Sequence, residues 1–231
     1  MTRGRRILFG LGALAAVALA GCGNDASRSE GFSAARSVAG SLFRGGSQEE
    51  SAPDPAAFAQ TVARALQLQE GPLMLVISGE EQQFSLLGEY GRNGGYRTWA
   101  NNQRQALIFN GGILTGTRGL GNDLMSSQIG EVAPLIRGRR AGTAQRVYRH
   151  LDGENDEASL TLTCTVAPAG SVATTLASGA TLSTVQVNET CRGAGLSVQN
   201  VYFVTGSGFI PQSRQWQGPV VGDVAIQVLR N

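Results

Sequence analysis

One stretch decides the fold class of this chain: Ala158-Ser159-Leu160-Thr161-Leu162-Thr163-Cys164-Thr165-Val166. Its apolar and its hydroxyl-bearing residues alternate strictly, so the two sets lie on opposite faces of an extended strand. One face can be buried while the other meets water, which is the pattern of an antiparallel sheet. The segments 181–191 and 220–228 alternate in the same way. The second half of the chain is therefore expected to be β structure.

Upstream of this stretch, short strand-like segments and turns begin at residue 73. Asn110-Gly111-Gly112, between Phe109 and Ile113, predicts a hairpin turn. An amphipathic helix is predicted over Pro55–Leu68, with Asp54 as its N-cap. With no βαβ alternation, we expect a mainly β fold: a large, curved, half-barrel-like antiparallel sheet with one or two short helices. Residues 55–231 are expected to form a single domain.

The first residues have the features of an export signal. Three arginines, at positions 3, 5 and 6, precede an apolar run from Ile7 to Ala20 that is too short to span a bilayer. Leu19-Ala20-Gly21-Cys22 then matches a bacterial lipobox, which predicts a signal peptide at 1–21 and lipid attachment at Cys22; the alternative is an ordinary secretory signal that ends near a cysteine. Gly23 favours sorting to the outer membrane, on its periplasmic face. Residues 22–54 are predicted to be a flexible tether from this lipid anchor in the membrane.

Charge and composition exclude several classes of function. Removing residues 1–21 takes away three arginines and no acid, which leaves 16 positive against 17 negative residues, so nucleic-acid binding is not expected. All positive residues are arginine, and this excludes Schiff-base and Walker lysines. Gly119-Leu120-Gly121 and Gly206-Ser207-Gly208 lack the strand–helix context of a phosphate loop.

Two cysteines remain once Cys22 is assigned to lipid. Cys164 and Cys191 both lie on the apolar face of a predicted strand, in an oxidising compartment, and this predicts a disulfide. The alternative is a pair of buried free thiols.

Catalytic and metal-binding patterns are weak. His150 is the one histidine of the chain and is expected to be structural. The acidic segment Asp152–Glu157 does not have the EF-hand spacing and is expected to be a solvated turn rather than a Ca²⁺ site. We therefore expect no metal, no cofactor and no catalytic residue. Arg137, Arg139 and Arg140 either face an anionic polymer or phospholipid headgroups, or form a solvated loop.

Two further segments carry a family resemblance. They are Trp99 through Asn110-Gly111-Gly112 to Asp123-Leu124, and Ser213-Arg214-Gln215-Trp216-Gln217-Gly218-Pro219. Together with the lipobox and the chain length, they resemble the YjbF/GfcB lipoproteins of group 4 capsule and related exopolysaccharide operons. The resemblance extends from about Pro55 to the end of the chain. It implies an outer-membrane lipoprotein with a curved antiparallel β fold and no established enzymatic activity.

Arg214 and Trp216 share one strand face, so they could line a surface for a polysaccharide or a protein partner. The alternative is that Trp216 fills the core and that Asp123 pairs with Arg118 or Arg214.

Two functions are compatible with these observations. The first is a non-enzymatic accessory protein that supports exopolysaccharide or capsule production or export, with an anionic polysaccharide or other secretion proteins as partners. The second is a lipid or lipoprotein carrier with an apolar cavity in a curved β half-barrel. A long apolar cavity would favour the carrier, and a filled core with an exposed arginine–tryptophan groove would favour the accessory protein.

Overall fold

A computed structural model of the chain describes residues 55–78, 83–151 and 157–231. Cys22, the predicted signal peptide, the tether and Asp54 lie outside the described residues, as do most of the predicted acidic turn at 152–157 and the turn at 79–81. The elements follow one another in the order α1 (Pro55–Leu68), β1 (Leu73–Ser78), β2 (Gln83–Asn93), β3 (Tyr96–Ala100), β4 (Ala106–Asn110), β5 (Ile113–Arg118), β6 (Leu124–Gln128), α2 (Val132–Arg137), β7 (Gly142–Leu151), β8 (Glu157–Thr175), β9 (Thr181–Gly193), β10 (Leu196–Thr205), β11 (Gln212–Gly218) and β12 (Gly222–Arg230).

The strands form one antiparallel sheet in the order β5-β4-β3-β2-β1-β12-β11-β10-β9-β8-β7-β6. Each strand pairs with a neighbour in sequence, except that β1 also pairs with β12 and so joins the two halves of the chain. The predicted hairpin between β4 and β5 turns at Gly111 and Gly112, both at positive φ. The predicted mainly β fold, a large curved antiparallel sheet with two helices, is confirmed.

The two outermost strands, β5 and β6, lie side by side and nearly close the sheet. Side chains bridge this seam in place of a backbone ladder. The Thr117 hydroxyl accepts a hydrogen bond from the Leu124 amide at 2.9 Å, and Arg118 donates to the Leu124 carbonyl at 3.3 Å. The sheet therefore has an inner and an outer face, and the seam is its one interrupted line within the described strands.

Strand β1 is buried on both faces. Leu73, Leu75 and Ile77 pack outward against Phe58 and Val62 of α1. Met74 and Val76 face the interior of the sheet instead. This burial on two sides explains why β1 is a continuous apolar run and does not alternate.

Large side chains fill the middle of the sheet. Tyr148 and Trp216 meet edge to face with ring centroids 5.0 Å apart, and Tyr202 is fully buried in the same core. Neither helix in the described part of the chain has the length and hydropathy needed to span a bilayer.

Candidate functional site: a basic pocket at the mouth of the sheet

One end of the sheet interior opens into a cavity of about 200 Å³, which we call the mouth pocket. It lies where β1 and β3 begin and where β4, β10 and β12 end. Its floor is apolar and is formed by Met74, Trp99, Phe109, Phe209, Ile210 and Val228. Its rim is formed by Arg97, Gly111, Gly112, Arg137, Ser207 and Gly208. The pocket thus combines an apolar base with two guanidinium groups.

Three segments that are far apart in sequence meet at this rim. They are the turn at Gly111 and Gly112, the end of α2 at Arg137, and the loop at Ser207 and Gly208. The turn needs glycine at position 112, because φ is +87° there and a Cβ would lie 2.9 Å from the Cβ of Ile210. The sequence singled out each segment separately, and the fold places them around one cavity.

Arg137 is the last residue of α2 and lies across the turn. A Cβ built on Gly111 would be 3.1 Å from Cδ and Nη1 of Arg137, so the side chain packs against the bare backbone of the turn. Its Nε donates to the Gly208 carbonyl at 3.3 Å. The terminal nitrogens have no hydrogen-bond partner among the described residues, and the side chain is exposed. Arg137 therefore presents an uncompensated positive charge at the pocket.

Arg97 is the second arginine of the rim. Its guanidinium carbon lies 4.6 Å from the ring centroid of Trp99, a cation–π contact. Its Nε donates to Glu89 at 3.0 Å, and Glu89 also accepts from Nη2 of Arg92 at 3.0 Å. The hydrogen bond from Arg92 is the main cause that lowers the pKa of Glu89 to about 2, with Arg97 adding to it against the opposing effect of burial. Glu89 is thus ionised and balances only one of these two arginines.

The other two arginines of the 137–140 loop lie outside the pocket lining. Arg139 has φ +53° and donates through Nη2 to the Gly206 carbonyl at 3.2 Å, so it ties this loop to the loop before β11. Arg140 is exposed, and its Nε would lie 3.1 Å from a Cβ on Gly138. Of the three, Arg137 alone lines the mouth pocket.

Arg214 and Trp216 are also away from this pocket. Trp216 is 9% exposed and packs in the core against Tyr148 and His150. Arg214 is partly exposed and lies 3.6 Å from the carboxylate of Asp223, whose pKa is raised by burial and lowered in part by this arginine. The burial of Trp216 agrees with the alternative of a core tryptophan, so the two residues do not form an exposed groove.

Asp123 does not pair with either of the arginines that the sequence suggested. It accepts hydrogen bonds from the Thr117 hydroxyl at 3.0 Å and from the backbone amides of Gly119 and Leu120 at 2.7 and 3.2 Å. The pairing with Arg118 or Arg214 that was part of the alternative of a core tryptophan is therefore wrong. An aspartate can satisfy nearby backbone donors, and here it caps the loop that leads from β5 to β6.

Cys164 and Cys191 face each other directly across β8 and β9, and a disulfide of 2.09 Å joins them. Both are fully buried. Glu189 lies close to them, and the three residues together have the donor atoms of a metal site. Since both sulfur atoms are bonded to each other, this group has no thiolate to offer a metal.

A buried ion pair at the centre of the sheet was missed by the sequence analysis. Arg146 and Glu189 are both fully buried and lie 2.7 Å apart. Glu189 Oε2 also accepts from Asn200 at 2.7 Å and from Tyr202 at 2.8 Å, while Arg146 donates to Ser127 at 3.0 Å. The sequence signal that could have found this pair is alternation. Arg146 stands at one of the every-second positions of β7 that point inward, and Glu189 stands at such a position of β9.

His150 is in the same interior and is 4% exposed. Its ring packs against Trp216 with centroids 5.7 Å apart, and neither ring nitrogen has a hydrogen-bond partner among the described residues. Burial lowers its pKa, so the ring is neutral inside the fold. This environment agrees with the structural role expected for His150.

Comparisons with known proteins identify the family. The model for YjbF, the group 4 capsule polysaccharide lipoprotein GfcB, matches residues 46–229. The search of curated proteins found no significant match. Among solved structures, the chain is similar to the crystal structure of the hypothetical lipoprotein YmcC from Escherichia coli (K12), with 19% identity, a TM-score of 0.62, and coverage of 80% of this chain and 98% of that one. At this identity the likeness is one of fold. Because the family model matches most of the sequence, the chain belongs to the YjbF family of group 4 capsule polysaccharide lipoproteins.

Proposed function

We propose that this protein is a non-enzymatic lipoprotein that supports exopolysaccharide or capsule production or export, and that its mouth pocket binds an acidic unit of the polymer. The family association with capsule polysaccharide supports the first part. One observation supports the second part, the binding of an acidic unit. The terminal guanidinium nitrogens of Arg137 have no hydrogen-bond partner among the described residues, and they lie at a pocket with an apolar floor. An acidic sugar has both complementary features, an apolar ring face and a carboxylate.

The chemistry of the pocket matches such a unit. A carboxylate can accept two parallel hydrogen bonds from one guanidinium, and these are stronger than bonds between neutral groups. A cavity of about 200 Å³ lies below the ~300–1,000 Å³ of pockets that hold drug-sized ligands, so it has room for one sugar ring and not several. The charge on Arg97 is shared with Glu89, and this leaves Arg137 as the principal anion contact.

The absence of acid–base groups at the pocket supports a binding role. The ionisable residues of its described lining are Arg97 and Arg137, and the arginine side chain is a hydrogen-bond donor with no acceptor atom. Hydrolysis of a glycosidic bond normally uses two carboxyl groups placed on either side of that bond. The carrier alternative has less support, since Tyr148, Trp216 and the Arg146–Glu189 pair occupy the middle of the described sheet.

Lipid attachment at Cys22 completes the proposal. A diacylglycerol on the thiol and an acyl chain on the new amine provide more than the two signals that stable membrane anchoring needs. Gly23, in the place where an aspartate would retain the protein at the inner membrane, supports an outer-membrane location on the periplasmic face. The mouth pocket would then meet the polymer, or secretion proteins that carry it, in the periplasm.

Deletion of the gene and complementation test this function. Wild type should restore secreted polysaccharide, whereas Arg137→Ala should restore several-fold less, because the pocket loses its anion contact. Arg192→Ala is a matched control, since Arg192 is exposed at the end of β9 and does not line the pocket. Full secretion by the Arg137→Ala strain at equal protein level would contradict the assignment of the pocket, and unchanged secretion after deletion would contradict the role in polysaccharide production.

A further inference from the structure

A second depression, which we call the seam groove, crosses the outer face of the sheet beside the β5–β6 seam. It has a volume of about 620 Å³. Tyr96 and Asn110 line one side of it, and Gln128, Glu131, Gln145 and Arg149 line the other. The groove is therefore bordered by strands from the two ends of the sheet order, β3 and β4 on one side and β6 and β7 on the other.

Polar groups in the seam groove have unused hydrogen-bonding capacity. The Asn110 amide and the Tyr96 hydroxyl form no hydrogen bond with any described residue. Glu131 uses one oxygen, Oε2, to accept from the Gln145 backbone amide at 2.9 Å, and its other oxygen is free of contacts within the described ranges. Tyr96 is 46% exposed. An aromatic ring with open donors and acceptors around it suits a sugar ring, which has an apolar face and an edge of hydroxyl groups.

The charge of the seam groove differs from that of the mouth pocket. Arg149 lies 3.2 Å from Glu157, so its charge is compensated, and Glu131 adds a negative charge. An anion in this groove would be repelled by Glu131 and would gain no attraction from the compensated charge of Arg149. An uncharged sugar has no such penalty.

The two depressions share a wall that is two strands wide. Asn110 lines the groove and Gly111 lines the pocket, and in the same way Tyr96 lines the groove and Arg97 the pocket. Neighbouring residues of a strand direct their side chains to opposite faces, so the groove and the pocket lie on the two sides of the β3 and β4 backbone near the turn. Gly111 adds no side chain to this wall, so the side chain of Arg137 packs directly against its backbone and lies at the turn between the two depressions.

We infer that the seam groove is a subsite for an uncharged sugar unit, next to the acidic unit held in the mouth pocket, so that one polymer chain passes over the turn at 110–112. This inference rests on the proposed function. It assigns the ligand as a heteropolysaccharide in which an acidic and an uncharged unit are neighbours.

Calorimetric titration of the full-length lipoprotein in detergent tests it with two probes. One is glucuronic acid, and the other is a tetrasaccharide that alternates glucuronic acid with N-acetylglucosamine. We expect the tetrasaccharide to bind the wild type at least tenfold more tightly than the monosaccharide. Tyr96→Ala should abolish this tenfold gain and leave monosaccharide binding unchanged. Asn110→Ala should reduce the gain and provides a second variant if Tyr96→Ala does not fold.

Tyr90→Ala is the matched control. Tyr90 is 82% exposed on the neighbouring strand β2 and lines neither depression. A tenfold gain that persists in folded Tyr96→Ala and Asn110→Ala, while Arg137→Ala still weakens both probes, would overturn the subsite and leave the proposed function standing. Binding that is absent, or that Arg137→Ala does not weaken, would overturn the proposed function and the subsite with it.

Discussion

Glu189→Gln removes one of the two charges at the centre of the sheet and leaves Arg146 buried without its counter-ion. Removing one partner of a buried ion pair costs about 3–5 kcal/mol, because the remaining charge has lost both water and partner. The glutamine oxygen can still accept one of the bonds from Arg146, Asn200 or Tyr202, each of which is 2.7–2.8 Å from Glu189. We therefore expect the lower end of this range, a loss of about 3 kcal/mol in the free energy of unfolding.

Urea denaturation of the oxidised protein measures this loss. With an m-value of about 2–3 kcal/mol/M, the midpoint should fall by roughly 1–1.5 M urea. Arg146→Met combined with Glu189→Gln should recover much of the loss, because neither buried charge remains and the glutamine keeps an acceptor for Asn200 and Tyr202.

Glu157→Gln is the control for this experiment. Glu157 pairs with Arg149 at 3.2 Å, but its side chain is 59% exposed, so the change should cost less than about 1 kcal/mol. If Glu189→Gln costs no more than this control, or if the double variant is less stable than the single one, the buried pair does not hold the centre of the sheet as argued.

Two further predictions concern His150 and the anchor. Burial lowers the pKa of His150, so on acidification the unfolded chain binds a proton at this residue before the folded chain does. The free energy of unfolding therefore keeps its full value above pH ~6.5, the ordinary pKa of histidine, and falls as the pH drops below that value toward the lowered pKa. His150→Gln should therefore lose less stability than wild type between pH 7.5 and 5.5 in urea titrations, and equal losses would show that another group titrates there. Cys22→Ala should move the protein from the membrane to the soluble periplasmic fraction and abolish palmitate labelling; a variant that stays in the outer membrane would show that another segment anchors it.

The predicted elements came from patterns that are local. Strands β8 and β9 bury most of the positions that the sequence assigned to an apolar face, and α1 spans Pro55–Leu68 as expected. The alternation predicted over 220–228 is wrong: Val220 is exposed, and residues 224–229 are buried on both faces of β12, because Ala225 and Leu229 pack with Phe58 and Val62 of α1 while Val224 and Val228 face the interior of the sheet. The pairing of Cys164 with Cys191 was predictable for a similar reason, because both cysteines share an inward parity and the third, Cys22, is predicted to carry lipid. These predictions needed only the side-chain period of a strand or a helix.

Residues whose role depends on a distant partner were harder to place. Alternation along the strand indicated that Arg214 and Trp216 share one face. It did not predict that Trp216 packs against Tyr148 and His150 in the core. Arg146 has its partner 43 positions away, on a strand that is not its neighbour in the sheet. A charged residue in an inward position of a strand indicates that it has a buried partner. Which residue that partner is depends on the curvature and strand order of the folded sheet.

By itself, the sequence determined the fold class, the helix α1, the hairpin between β4 and β5 and the alternating strand over 158–166, and it predicted the disulfide between Cys164 and Cys191, since each of these follows from local periodicity or from counting. Only the tertiary structure decided that β1 pairs with β12, that the edges β5 and β6 meet at a seam, and that Gly111, Arg137 and Gly208 surround one pocket. The physical reason is that alternation defines which side of a strand is buried, whereas strand order and the curvature of the sheet decide which buried or rim residues face one another.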